Sequence, residues 1–223
     1  MIININNIES EKEGWEMNQI SIVKAVHQSM VGAQLNVMAL EYMAFALAGS
    51  EEKNAVEGTF CKLWRQGNNR FSHQYAYEAQ MDGKTLGMIT CYPIPVLNRL
   101  AWPTFKQLLS FGKLDFVFYN ILNIKMLYSM ITLKEGEDDE FHIGTIALLP
   151  ESRGLGIGTR LLEFAEEQAS LQGFAKCSLT VKKENQLAIK LYQRLGYQIT
   201  SEISKPKLSL YRMVKNIGRY NVL

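Results

Sequence analysis

The chain has 223 residues, of which 47% are hydrophobic and 21% charged, with a formal net charge of +2 and a pI of about 8.3. Such a length holds one sizeable domain with room for an insertion, in the balance of a soluble globular protein. The charge is too mild to argue for nucleic acid as a partner.

The first 18 residues are polar and Asn/Glu-rich and read as an N-terminal arm. They lack the basic start and apolar core of a signal peptide, so the expected location is cytoplasmic. Gln19 to Val26 has the β-branched content of a short strand. The run MVGAQLNVMALEYMAFALAG that follows Ser29 has helical periodicity and predicts one mostly buried helix ending at Gly49. A second helix starts near Ser50, with Val56, Phe60, Leu63 and Trp64 on one face. Phe71 to Gln80 and Thr85 to Tyr92 predict two strands, joined by a tight Asp82-Gly83 hairpin. Pro93 and Pro95 stop the second strand.

Residues 93–139 break the alternation of strand and helix. They are rich in aromatics, among them Trp102, Phe105, Phe111, Phe116, Phe118, Tyr119 and Tyr128, and predict a largely helical insertion. Its most apolar part, Leu114 to Leu133, carries Asp115, Asn120, Asn123 and Lys125. Those groups make a membrane span costly, and a buried or interfacial helix is expected. The acidic residues 135–140 read as a solvated turn. Beyond them come a strand from Glu140 to Leu149, a loop, a helix from Ile157 to Gln172 and a strand from Ala175 to Val181. A helix from Asn185 to Leu195, ended by Gly196, precedes two strands expected to pair antiparallel, Tyr197 to Ile203 and Lys207 to Val214. Residues 19–223 therefore read as one domain. Cys61, Cys91 and Cys177 are odd in number and lack metal-ligand spacing, so free thiols and no metal site are expected.

The most informative run is LPESRGLGIGTRLL, 149–162, between a strand and a helix. Its glycines allow a tight turn with amides facing one concavity, and the helix start adds unpaired N–H donors at the positive end of its dipole. That arrangement suits a diphosphate. The run is neither a Walker loop nor a dinucleotide fingerprint, because its glycine spacing and downstream residues are wrong for both. One helix later, NQLAIKLYQRLGY at 185–197 places Asn185, Ala188, Tyr192, Gly196 and Tyr197 in the pattern N-x-x-A-x-x-x-Y-x-x-x-G-Y/F.

The two motifs, in this order and spacing, resemble the GNAT superfamily of N-acetyltransferases, with a long insertion between the third and fourth strands. The resemblance implies an α/β fold with a mixed, mostly antiparallel sheet, flanking helices and splayed fourth and fifth strands. It also implies acetyl-CoA as cosubstrate, without a metal. By position, the Ile146-Ala147-Leu148 stretch would hold the pantetheine arm, with the Leu148 N–H directed at the thioester carbonyl as an oxyanion donor. The amides of Arg153, Gly154, Leu155, Gly156, Ile157, Gly158 and Thr159 would hold the pyrophosphate. Tyr192 matches the family's acid, which protonates the leaving sulfur. Asn185 caps its helix and contacts the pantetheine region.

An alkyl amine of pKa about 10.4 is mostly protonated at neutral pH, so the reaction also needs a base. His142 stands at a position where family members place a Glu or His, and simple alternation puts it on the same strand face as Leu148. Glu140 and an ordered water are the alternatives, while His27 and His73 offer less. The acceptor is expected to be a small-molecule amine. A protein lysine or N-terminus, or a non-catalytic acyl-CoA-binding module, are the competing readings. The insertion is the expected lid, and its aromatics either line an acceptor pocket, pack onto the sheet or form a homodimer surface.

Overall fold

The computed structural model describes residues 20–218, so the expected arm at 1–18 lies outside them. A seven-stranded sheet is formed by β1 (Ser21–Lys24), β2 (Ala76–Met81), β3 (Lys84–Pro93), β4 (Phe141–Leu148), β5 (Lys176–Lys182), β6 (Gln198–Lys205) and β7 (Leu208–Asn216). Its order is β1-β2-β3-β4-β5-β7-β6. Every neighbouring pair is antiparallel except β4–β5. The β2–β3 hairpin turns on Asp82 and Gly83, both at positive φ (51° and 72°), the two-residue geometry whose twist matches the strands.

Alternation along β3 and β4 supplies a core to each face. On one face Ile89, Phe141 and Ile143 pack with Ile157, Leu161 and Ala165 of α6 (Ile157–Leu171) and with Ile189 and Tyr192 of α7 (Gln186–Arg194). On the other, Met88 and Ala147 pack with Leu35 of α1 (Val31–Leu40) and Trp64 of α3 (Lys53–Arg65). Burial of these apolar side chains is the main stabilising term, about 25 cal/mol per Å² removed from water.

The helix expected from 30 to 49 is instead two. Glu41, at φ 51°, separates α1 from α2 (Tyr42–Ala48), and the two axes meet at 112°. Apolar residues surround the whole segment, so no single stripe could be buried by a straight helix. Breaking it lets α1 pack beside Trp64 while Ala44 and Ala48 of α2 pack with Phe60, Leu108 and Phe116.

The insertion is helical as expected, forming α4 (Ile94–Leu122) and α5 (Ile124–Ile131). The break at Asn123 is held by its side-chain amide donating to the Tyr119 carbonyl (2.9 Å). The outer side of this stretch is neither buried nor capped by the sheet: Leu114, Phe118, Ile121 and Leu122 are exposed. Among the described residues no single helix is long and apolar enough to cross a membrane.

Two local expectations change. The strand read from Phe71 begins only at Ala76, because His73–Tyr75 form a 3₁₀ turn, with the Ser72 hydroxyl accepting from the Gln74 N–H. The acidic run is not uniformly solvated: Glu135 is half-buried and Glu140 buried, each against an arginine, while Glu137, Asp138 and Asp139 stay exposed. Cys61, Cys91 and Cys177 are free, the first half-buried and the others buried.

Candidate active site

β4 and β5 pair only at Phe141–Cys177, His142–Ser178 and Ile143–Leu179, and then part. The separation starts at Gly144. On the β3 side, Thr90 faces Thr145 while Cys91 faces Ile143, so Gly144 is an extra residue, a β-bulge. A Cβ at Gly144 would sit 2.2 Å from the Tyr92 hydroxyl, so only glycine fits between the bulge and that ring. From Gly144 to Leu148 the β4 edge toward β5 has no strand partner, so some of its backbone N–H and C=O groups are available to a ligand. Ile146, Ala147 and Leu148 lie on this edge. The resulting cleft, of about 200 Å³, is bordered by β4 at Gly144–Ile146 and β5 at Thr180–Lys182, with Asn185 and Tyr192 at one end.

The bulge corrects one expectation. Alternation put His142 on the face of Leu148, but the extra residue reverses the parity. Ile146 and Leu148 pack toward α6, and His142 lies on the opposite face with Thr145 and Ala147.

At the other end of β4 the loop turns through Pro150–Ser152, whose serine hydroxyl donates to the carbonyls of Leu86 (2.7 Å) and Leu149 (2.8 Å). Gly154 and Gly156 then take φ +83° and +74°, and a Cβ built at either meets nothing within 4 Å. Their requirement is backbone conformation beside open space. The Arg160 N–H donates to the Gly156 carbonyl, so the amides of Ile157 to Thr159 are the orphan donors of the α6 N-terminus, whereas the Arg153 N–H already donates to the Pro150 carbonyl (3.3 Å). Arg153, Gly154, Leu155 and Gly156 are exposed, Thr159 is half-buried, and Ile157 and Gly158 are buried beneath them. This rim of amides on a positive helix end, continuous with an unpaired strand edge, fits the diphosphate and amide-rich arm of coenzyme A.

Asn185 Oδ1 accepts from the Ala188 N–H (3.1 Å), capping α7 while its residue borders the cleft. Tyr192, one helical face further on, is 7% exposed, and burial pushes its hydroxyl up to about 12. It is therefore protonated throughout the neutral range.

The opposite face of β4 carries a buried polar cluster that sequence reading missed in part. His142 is fully buried. Its Nδ1 is 3.1 Å from the Ser178 hydroxyl, and its Nε2 is 3.4 Å from Glu135 Oε2, an ion-pair distance without hydrogen-bond alignment. The Glu135 carboxylate accepts two hydrogen bonds from Arg70, from Nη1 at 2.8 Å and Nη2 at 2.9 Å. Tyr92 stacks beside His142, and its hydroxyl lies against Arg70; burial pushes it up to about 12. Burial alone would raise Glu135, but Arg70 and His142 outweigh it and hold its carboxyl well below the usual range. Glu135 and Arg70 border the cleft and His142 does not, so His142 touches the cleft only through Glu135. Glu140 is engaged elsewhere, with Arg212 and with the Glu137 N–H. His73 contacts the Trp64 carbonyl (2.7 Å) and His27, away from the cleft. Arg70 has no motif around it. Glu135 was visible only as the start of an acidic run.

One side of the cleft, at Met43, Met130 and Leu208, is tied together by neighbouring hydrogen bonds. Tyr42 donates to the Lys207 carbonyl (3.2 Å), and Ser129 of α5 donates to the Pro206 carbonyl, tying the β6–β7 turn to α2 and to the insertion. Lys182 of β5 pairs with Glu41 at the α1–α2 joint (2.5 Å).

Comparison with known proteins agrees with this geometry. The family model described as "Acetyltransferase (GNAT) family" matches residues 43–197. The chain shares its fold with an N-acetyltransferase from Staphylococcus aureus Mu50 at 24% identity and a TM-score of 0.66, covering 87% of this chain and 99% of that one. A PaiA N-acetyltransferase from Thermoplasma acidophilum, in complex with coenzyme A, aligns at 15% identity and a TM-score of 0.50 over 89% and 99% of the two chains. The ribosomal-protein-S18-alanine N-acetyltransferase from Escherichia coli aligns at 16% identity and a TM-score of 0.52 over 92% and 99%. A splayed sheet with an amide-lined strand-to-helix turn defines an acyl-CoA-dependent acyltransferase. The chain belongs to the GNAT acetyltransferase family.

Proposed function

We propose that the protein transfers the acetyl group of acetyl-CoA to the primary amine of a small molecule, within a ternary complex. The observation that carries the reading is the roof: α2 and α5 are each bonded to the β6–β7 turn, next to Met43, Met130 and Leu208 of the cleft lining. A peptide-modifying enzyme needs an open groove there.

In this reading the amides from Gly154 to Thr159 hold the diphosphate, and the free edge at Ile146-Ala147-Leu148 pairs with the pantetheine arm. The Leu148 N–H stabilises charge developing on the thioester oxygen. The amine binds after losing its extra proton to water. Its nitrogen attacks the thioester carbon, the C–S bond breaks, and Tyr192 gives its proton to sulfur. The proton released by nitrogen returns through water to the Tyr192 oxygen, so the products are the amide and the free thiol of coenzyme A. A raised pKa suits Tyr192 to this task, since the hydroxyl stays loaded at neutral pH. Direct proton abstraction does not fall to the fully buried His142; it steadies Glu135 instead.

The test is acetyl-CoA turnover, read as free thiol, with a panel of small primary amines against lysine-containing and free-N-terminus peptides. Small amines are expected to turn over at least about tenfold faster. Turnover with peptides alone overturns the reading, and binding of acetyl-CoA without any turnover favours a regulatory module.

A further inference from the structure

A second hollow, of about 590 Å³, lies beneath the insertion, between α2 and α4. That volume is in the range of small-molecule sites, roughly 300–1,000 Å³. It adjoins the acetyl-transfer cleft rather than standing apart from it: Leu47, Arg70, Met130, Leu133 and Glu135 border both spaces. Its walls are apolar and aromatic, with Leu97, Trp102, Phe105, Leu108 and Phe116 from α4. Phe105 meets Phe116 edge-on at 6.1 Å, and Trp102 stacks on Phe105 at 5.7 Å. The only ionised groups among the described lining residues are Arg70 and Glu135, already paired with each other at the shared wall.

We propose, resting on the small-amine reading above, that this hollow is the acceptor pocket and that it selects a monoamine with an apolar body of about aromatic-ring size. The body lies among the α4 aromatics, and the amine points to the shared wall and the cleft. Glu135 is the positioning group. A carboxylate offers about four lone-pair directions; Arg70 takes two and His142 Nε2 faces a third. The remaining one accepts an N–H of the incoming amine. Because Arg70 neutralises Glu135, the wall holds no surplus charge. The rest of the described lining is uncharged, with Asn98, Thr104 and Asn120 as its polar members, so a diamine or an amino acid would bring a charge that no ionised group there compensates. An apolar monoamine leaves nothing unpaired.

The experiment compares kcat/KM for 2-phenylethylamine, propylamine, 1,4-diaminobutane and phenylalanine, in the wild type and in Ala101→Trp. Ala101 borders the hollow on an exposed turn of α4, so the larger ring fills the space without entering the packed core. In the wild type, 2-phenylethylamine is expected to exceed each of the others by roughly tenfold or more, the discrimination an apolar pocket provides. Ala101→Trp is expected to lower the ratio of 2-phenylethylamine to propylamine at least tenfold, with acetyl-CoA affinity unchanged. Should that variant fold poorly, the wild type still decides. The neutral mimic 2-phenylethanol is expected to compete with the amine, and ethanol is not. Turnover of all small amines alike, with no competition by 2-phenylethanol, overturns the pocket and leaves the small-amine reading standing. Phenylalanine as good as 2-phenylethylamine overturns the single-charge argument. Peptide-only turnover overturns the underlying reading and the pocket with it.

Discussion

In the proposed mechanism Gly156 and Tyr192 divide the chemistry at the scale of single residues: one shapes the anion cradle, the other borders the reacting end. Gly156→Asp should weaken acetyl-CoA binding at least about tenfold, measured by calorimetry. It places a carboxylate where a diphosphate is expected and strains a backbone at φ +74°, at about 1–2 kcal/mol. Gly156→Ala isolates the strain, and its smaller loss gives the electrostatic part by difference. Tyr192→Phe should lower kcat by roughly 10²-fold while the acetyl-CoA Kd moves less than about threefold; equal rates across the pH range would remove the acid role. The Arg70–Glu135 pair belongs to this scale too. Glu135 has a folded pKa below its unfolded value of about 4.3, so its stabilisation is complete above that value and is lost as pH falls toward the folded pKa. Glu135→Gln should therefore cost ~3 kcal/mol in urea unfolding at pH 7. The offset should begin to shrink below about pH 4.3 and still persist in part at about pH 3, because the folded pKa lies well below the usual carboxylate range; an offset unchanged from pH 7 down to about pH 3 would mean the pair is not the source.

Among the elements, β4 decides most. It is an ordinary strand by composition, yet one extra residue parts it from β5, reverses which side chains face α6, and puts His142 behind Glu135. Gly144→Ala should destabilise by about 1–3 kcal/mol, because its methyl group would meet the Tyr92 hydroxyl at 2.2 Å. In a Tyr92→Phe background the same substitution should cost less, and a double-mutant cycle in denaturant reads that coupling. Additivity would mean the bulge is not set by this contact. The α1–α2 break follows the same logic. Periodicity predicted a helix there, and a helix is present, but the direction of burial changes halfway along it.

Taken whole, the molecule places the cleft assigned to the cofactor beside a hollow lined largely by this chain's insertion. The Leu114-to-Leu122 outer surface stays exposed while the inner aromatics border the hollow, so the same helix serves two environments. Sequence alone favoured packing or a dimer face over a pocket for the insertion's aromatics. Deletion of the β6–β7 roof contact by Tyr42→Phe should leave acetyl-CoA affinity unchanged and raise KM for a small amine by about twofold to fivefold, roughly the net worth of one hydrogen bond. An unchanged KM would mean the turn closes without it.

What the sequence determined by itself was the family and the motifs assigned to the cofactor: two glycines, a capping Asn185, Tyr192 and the strand that feeds them lie close together in the chain. Their chemistry is local backbone conformation and helix-end geometry, which neighbouring residues encode. The proposed acceptor half was legible only in the tertiary structure. Arg70, Tyr92, Glu135 and His142 come from four segments, and no spacing rule connects them. A single bulged glycine, detectable only from strand pairing, sets which of them meet the cleft.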